Sequence, residues 1–222
     1  MKDNQMGGIA LILGSLGFIL TMSFHPSGHD FFEAGNELNA LITKTIIVHV
    51  PAVVSLPILF LGALALSWSL ASPDRLSFIA IVAYGFAAVA AISNVVVDGF
   101  VAPGLLGKLV AATTPSASDM WRVVSRYNGQ LNEVYAKIFV VASSVATTFW
   151  SIAILRNRRL GLGAGIYGVV LGPSIVIAVA SGQVTLAAHW FRLIIVAQVA
   201  WFIIVGVLLL RLKEQDTALR AS

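Results

Sequence analysis

The chain has 222 residues, 58% hydrophobic and 11% charged, with a mean hydropathy of +0.91. Soluble domains carry about 25% charged residues, so this composition excludes a water-soluble globule. The absence of cysteine excludes disulfides, iron–sulfur clusters and thiol catalysis. The net charge of +4 is scattered over short loops with no basic, aromatic-rich face, which argues for orientation in a membrane and against nucleic-acid binding.

Six apolar runs are each long enough, at 1.5 Å per residue, to cross a hydrocarbon layer of about 30 Å. The first is predicted over residues 7–23. The segment before it carries Asp3 beside Lys2, and no A-x-A site precedes His25-Pro26, so it reads as an uncleaved span rather than a signal peptide. A polar loop follows, and the second span is predicted over 45–70 with Pro51 and Pro57 inside it. The turn Ser72-Pro73-Asp74-Arg75 leads to a third span over 77–103. Residues 116–130 place Met120, Val123, Val124 and Tyr127 on one helical face, predicting an amphipathic interfacial helix. It runs into a fourth span over 131–155, with Gly129 as the expected bend. The fifth and sixth spans are predicted over 163–180 and 188–210. The fold class is therefore all-α: a polytopic integral membrane protein, a six-transmembrane-helix bundle forming a single domain over 1–222.

Small residues predict close helix contacts, with Gly14 and Gly17 in the first span and Gly161, Gly165, Gly168 and Gly172 along the fifth. Gly163-x-Gly165-x-x-Gly168 has the spacing of a dinucleotide-binding loop, but no strand precedes it and it enters a span. Trp121 and Trp190 are expected in an outer aromatic belt, and Trp68 and Trp150 in an inner one. With both termini inside, lysine and arginine number eight inside and six outside, and Arg156, Arg158 and Arg159 share one short inner loop. This bias predicts an inner-membrane protein with both termini cytoplasmic. The bilayer is the expected partner, together with another membrane protein or a second copy of the chain.

The functional signal is the placement of polar residues. Under this topology His25, His49, Asn94, Asp98, Asn128, Asn132, Glu133, His189 and Arg192 crowd toward the outer ends of five spans. Burying such groups in hydrocarbon costs a few kcal/mol each, so they face a protein interior or a wet cavity. Imidazole and carboxylate suit a transition metal, with His25, His49, Asp98, Glu133 and His189 as candidate ligands. His49 and His189 are alternatively candidate axial ligands of haem b. Asn94, Asn128, Asn132 and Arg192 form the expected supporting network, and Glu133 with Lys137 an i,i+4 ion pair. The reading is an outward-facing pocket with a ligand-, metal- or haem-binding or accessory role. Its alternatives are a structural subunit whose polar cluster ties helices together, a small-solute or cation transporter, and an intramembrane metal-dependent hydrolase.

Overall fold

Apolar runs of 20 residues or more must satisfy their own backbone in lipid, and helices do so within one segment. The computed structural model describes residues 2–26, 37–70, 75–158, 160–183 and 188–221, without the side chains of 2, 3, 188, 189 and 213–221. Every regular element among them is helical: α1 (Lys2–Phe24), α2 (Leu38–Leu70), α3 (Leu76–Val96), a π-helical segment (Val97–Val101), α4 (Ala102–Val110), α5 (Pro115–Asn157), α6 (Leu162–Ala180) and α7 (Ala188–Ala221). Six helices are long and apolar enough to cross a membrane, counting α3, the π segment and α4 as one rod over Leu76–Val110. This is the architecture of a multi-pass membrane protein.

Several elements are longer than the hydropathy pattern suggests: the third rod continues to Val110 and α7 to Ala221, and two further cases bear on the site. Helix α2 begins at Leu38, before the apolar run opens at Thr45. Residues 116–130 and 131–155 belong to a single helix of 43 residues, α5, which passes through Gly129 without a break. One glycine costs a helix about 1 kcal/mol, too little to stop a segment flanked by good helix formers. The start of α5 is fixed locally: Pro115 occupies its first turn, and the Thr114 hydroxyl accepts from the Ala117 N–H.

The helices form a ring in which α1 packs between α2 and α7, and α5 packs between α3 and α6. The contacts α2–α3 and α6–α7 close it. Glycines set the closest approaches. A Cβ on Gly14 would lie 2.8 Å from the Leu59 backbone nitrogen, and one on Gly62 would lie 2.7 Å from that of Leu11. On the other side of α1, Gly8 and Gly206 each abut the other's carbonyl. Gly165, Gly168 and Gly172 seat α6 against Leu155, Ser151 and Thr148 of α5. Gly161 does not join that stripe; it occupies the turn before α6 at φ +83°, a conformation suited to glycine.

The centre of the ring is aromatic. Tyr84 stands 5.4 Å from both Trp150 and Phe202, and Trp150 stacks on Trp201 at 6.1 Å between centroids. Trp150 therefore does not join an interfacial belt: it is fully buried, and its Nε1–H donates to Ser67 Oγ at 2.8 Å. A buried indole needs such a partner. Trp68, one residue from Ser67, faces outward instead. Phe78, Phe86, Val89, Ile166, Val170 and Ile177 also point away from the bundle, while Ser143, Ser144, Ser151 and Gln198 point in. Large apolar groups facing outward with the hydroxyl and amide groups directed inward is the pattern expected of a bundle solvated by lipid.

Because Gly62 admits the α1 backbone directly, Gly62→Val forces α1 and α2 apart. The expected loss is about 1–3 kcal/mol, read as a lowered melting temperature in detergent, whereas the outward-facing substitution Val89→Ala should leave the melting temperature close to that of the parent.

Candidate metal centre

At the end of the bundle where α1 finishes, three side chains from three segments converge. His25 follows the last turn of α1, His49 lies a third of the way along α2, and Asp98 sits in the π segment. A π turn is a widened turn that recurs at functional sites, and here it presents the Asp98 carboxylate to both histidines. His25 Nε2 is 2.7 Å from Asp98 Oδ2, and His49 Nε2 is 3.4 Å from the same oxygen. The ligand atoms of the three residues all lie within 4.8 Å of one another, so the cluster could hold a metal ion. Gly99 makes room, since a Cβ there would overlap the His49 ring.

Backbone carbonyls fix both tautomers. His49 Nδ1 donates to Thr45 O at 2.7 Å, and His25 Nδ1 donates to Pro26 O at 2.7 Å. A carbonyl oxygen can only accept, so each Nδ1 carries a proton and each neutral ring presents a bare Nε2 lone pair. Two such Nε2 atoms and a carboxylate oxygen meet at one place. In the metal-free contact a proton on His25 Nε2, which makes that ring an imidazolium, accounts for the 2.7 Å distance, and a metal would replace this proton. The 3.4 Å contact of His49 is longer than a hydrogen bond ought to be. It is close to the edge of a tetrahedron with bonds of about 2.0–2.1 Å, the length of zinc–imidazole and zinc–carboxylate bonds. Binding a metal would open the His25–Asp98 contact by about 0.6 Å on the same geometry.

Burial is the largest influence on His25 and lowers its pKa, but the hydrogen bond and negative charge of Asp98 outweigh it. The Pro26 carbonyl adds to the rise and Arg192 opposes it, leaving the ring above its ordinary value of 6.5. Arg192 on α7 also donates from Nη2 to the His25 carbonyl at 2.7 Å, tying the residue after α1 to α7.

The triad borders a cavity of about 520 Å³ between α1, α2, α3, α5 and α7. Its wall combines Asn94, Asn132, Glu133 and Arg192 with Phe18, Met22, Phe139 and Phe191. Asn94 Nδ2 donates to both the backbone and side-chain oxygens of Asn132, which joins α3 to α5 beside the triad. Phe18 and Phe139 stack at 6.2 Å and form the floor, with a void of only about 10 Å³ beneath them.

The other expected site residues take different places. Glu133 reaches the cavity rim, but its carboxylate pairs with Lys137 at 2.7 Å and stays half exposed, outside the histidine cluster. Asn128 is buried on α5 without lining the cavity. His189 lies in the first turn of α7 and its side chain falls outside the described residues, so the pairing with His49 proposed for haem is not described. The Nε2 of His49 faces Asp98, and the His25 ring lies 4.8 Å from the His49 ring between centroids. Sequence reasoning did not anticipate the roles of Thr45 and Gly99. A threonine one turn before a histidine and a glycine one residue after an aspartate are too common to signal a site. Comparison with family models, with curated proteins and with solved structures finds no match for this chain.

Since folding raises the pKa of His25, its pairing with Asp98 stabilises the metal-free protein fully below about pH 6.5, the unfolded value. That contribution is lost as pH rises through the higher folded value. Melting temperatures recorded across this window with a chelator present should fall toward alkaline pH. In His25→Gln, which keeps a polar side chain without a titrating proton, this part of the slope should vanish.

Proposed function

We propose that this chain is an inner-membrane protein with both termini cytoplasmic, whose outward-facing cavity carries a transition-metal centre. His25 Nε2, His49 Nε2 and Asp98 Oδ2 are the protein ligands. The observation that carries the reading is the convergence of two backbone-pinned imidazole Nε2 atoms on one carboxylate oxygen, at 2.7 and 3.4 Å. Two imidazoles and a carboxylate suit zinc or iron(II), and three protein ligands leave coordination positions open to water or a ligand. Those positions would border the 520 Å³ cavity, within the range of small-molecule sites. The Nδ1–H bonds to Thr45 O and Pro26 O are the outer-shell contacts that hold metal-bound imidazoles in place. Glu133 is not retained as a ligand.

One observation favours a structural alternative. A 2.7 Å contact is an ordinary imidazolium–carboxylate hydrogen bond, and with Arg192 on the His25 carbonyl it could simply fasten α1 to α3 and α7. A transport pathway has less support, because the Phe18–Phe139 stack separates the cavity from the interior below.

Elemental analysis of protein purified without chelator separates the two. The metal reading expects about one zinc or iron per chain, the three-ligand stoichiometry of an open site. Metal should fall to background in His49→Ala and in Asp98→Ala, and persist in Lys137→Ala at the rim. A folded protein that carries no metal and takes none up in dialysis against zinc or anaerobic iron(II) would sink the reading and leave the structural tie.

A further inference from the structure

The cavity has a chemistry of its own beyond the three ligands. Its apolar wall is long and aromatic, running from Phe191 and Met22 down to the Phe18–Phe139 floor. Its polar groups are concentrated beside the triad. Among the described residues lining it, Arg192 supplies the one fixed positive charge. Two carboxylates offset that charge only in part: Asp98 is bound to the histidines, and Glu133 is paired with Lys137. Arg192 is half-buried and uses Nη2 on the His25 carbonyl, which holds the guanidinium next to His25 while its remaining N–H groups are donors for another acceptor. An arginine fixed in this way is suited to a carboxylate or phosphate oxygen, and charge-assisted bonds of that kind are the stronger class.

We infer that the cavity is a binding site for an amphiphile with an anionic head on a single acyl chain. The head lies between Arg192 and the open face of the His25–His49–Asp98 centre, and the chain lies along Phe18, Phe139 and Phe191. The inference rests on the proposed metal for one of the two contacts to the head; the Arg192 contact stands without it. Cavity volume favours one chain over two, and the closed Phe18–Phe139 floor sets the depth to which the chain enters.

Dodecanoate is the probe, titrated into the full-length protein in phosphatidylcholine nanodiscs, with methyl dodecanoate as the uncharged control. Metal content is measured on the same samples. Dodecanoate should bind at least about ten times more tightly than the ester, because loss of one charge-assisted contact removes roughly tenfold or more. Arg192→Gln, which can still donate to the His25 carbonyl, should weaken dodecanoate by a similar factor and leave the ester unaffected. Ala136→Trp, which fills the cavity from a buried wall position, should abolish binding of both. Adding phosphatidylglycerol, which carries two chains, to the nanodiscs tests the chain count: displacement of dodecanoate assigns the head to a bilayer lipid and overturns the single-chain inference, and no displacement supports a free single-chain acid.

Equal binding of acid and ester in the metal-loaded protein overturns the amphiphile site and leaves the metal centre standing. Dodecanoate binding that depends on Arg192 in a protein without metal supports the anion site and overturns the metal reading. Binding untouched by both Arg192→Gln and Ala136→Trp, in variants with parental melting temperatures, places the probe outside this cavity and overturns the proposal.

Discussion

Two imidazoles whose Nδ1 protons are committed to backbone carbonyls, facing one carboxylate, are the constraint around which this end of the bundle is organised. Electron pairs from three ligand atoms cannot be brought together without a proton or a cation between them. Each part of the arrangement depends on a local backbone event. Thr45 O lies one helical turn before His49, Pro26 O sits just past the end of α1, and the π segment delivers Asp98. Gly99 then lets the rod formed by α3 and α4 approach α2 closely enough for the carboxylate to reach His49. Arg192 joins the sixth spanning helix to the same place through the His25 carbonyl.

Elsewhere the bundle follows the energetics of a chain solvated by lipid. Hydrophobic burial does not drive apolar helices together in hydrocarbon, so packing and interhelical hydrogen bonds take over. The α1–α2, α1–α7 and α5–α6 seams accordingly close on glycine, and several of the polar groups inside find partners across helices. Gln198 on α7 accepts from Ser143 and donates to Ser144 on α5, and Tyr167 on α6 donates to the Ala197 carbonyl. The Tyr84–Trp150–Trp201–Phe202 cluster fills the middle, where a ring of six helices would otherwise leave a void. The cavity opens where this filling stops, above the Phe18–Phe139 stack.

Much of this was legible from hydropathy alone. Twenty apolar residues in lipid have essentially one way to satisfy their amides, so six runs give six helices whatever packs beside them. Glycine spacing pointed to the α1 and α6 seams for a similar reason, since a missing Cβ is a local property. The joining of residues 116–130 to the fourth span was less legible, because helix continuity through Gly129 is a balance of small propensities. Trp150 was misread as an interfacial residue because amphipathic side chains are common at that depth. Only the neighbouring helices reveal that Ser67 and the aromatic cluster enclose it.

The polar inventory near one end of the spans was a sequence property, and it named His25, His49, Asp98 and Arg192 together with Glu133, Asn128 and His189. Sequence fixes depth along a helix through the constant rise per residue, so it determined which groups share a level. It does not fix azimuth between helices that are far apart in the chain. The Glu133–Lys137 pair, four residues apart on one helix, was a sequence property as well; tertiary packing decided that His25 and His49 meet on Asp98 and that Asn94 bonds Asn132. Those choices depend on helix rotation, on the close approach at Gly99 and on one widened turn, none of which carries a periodic signal in the chain.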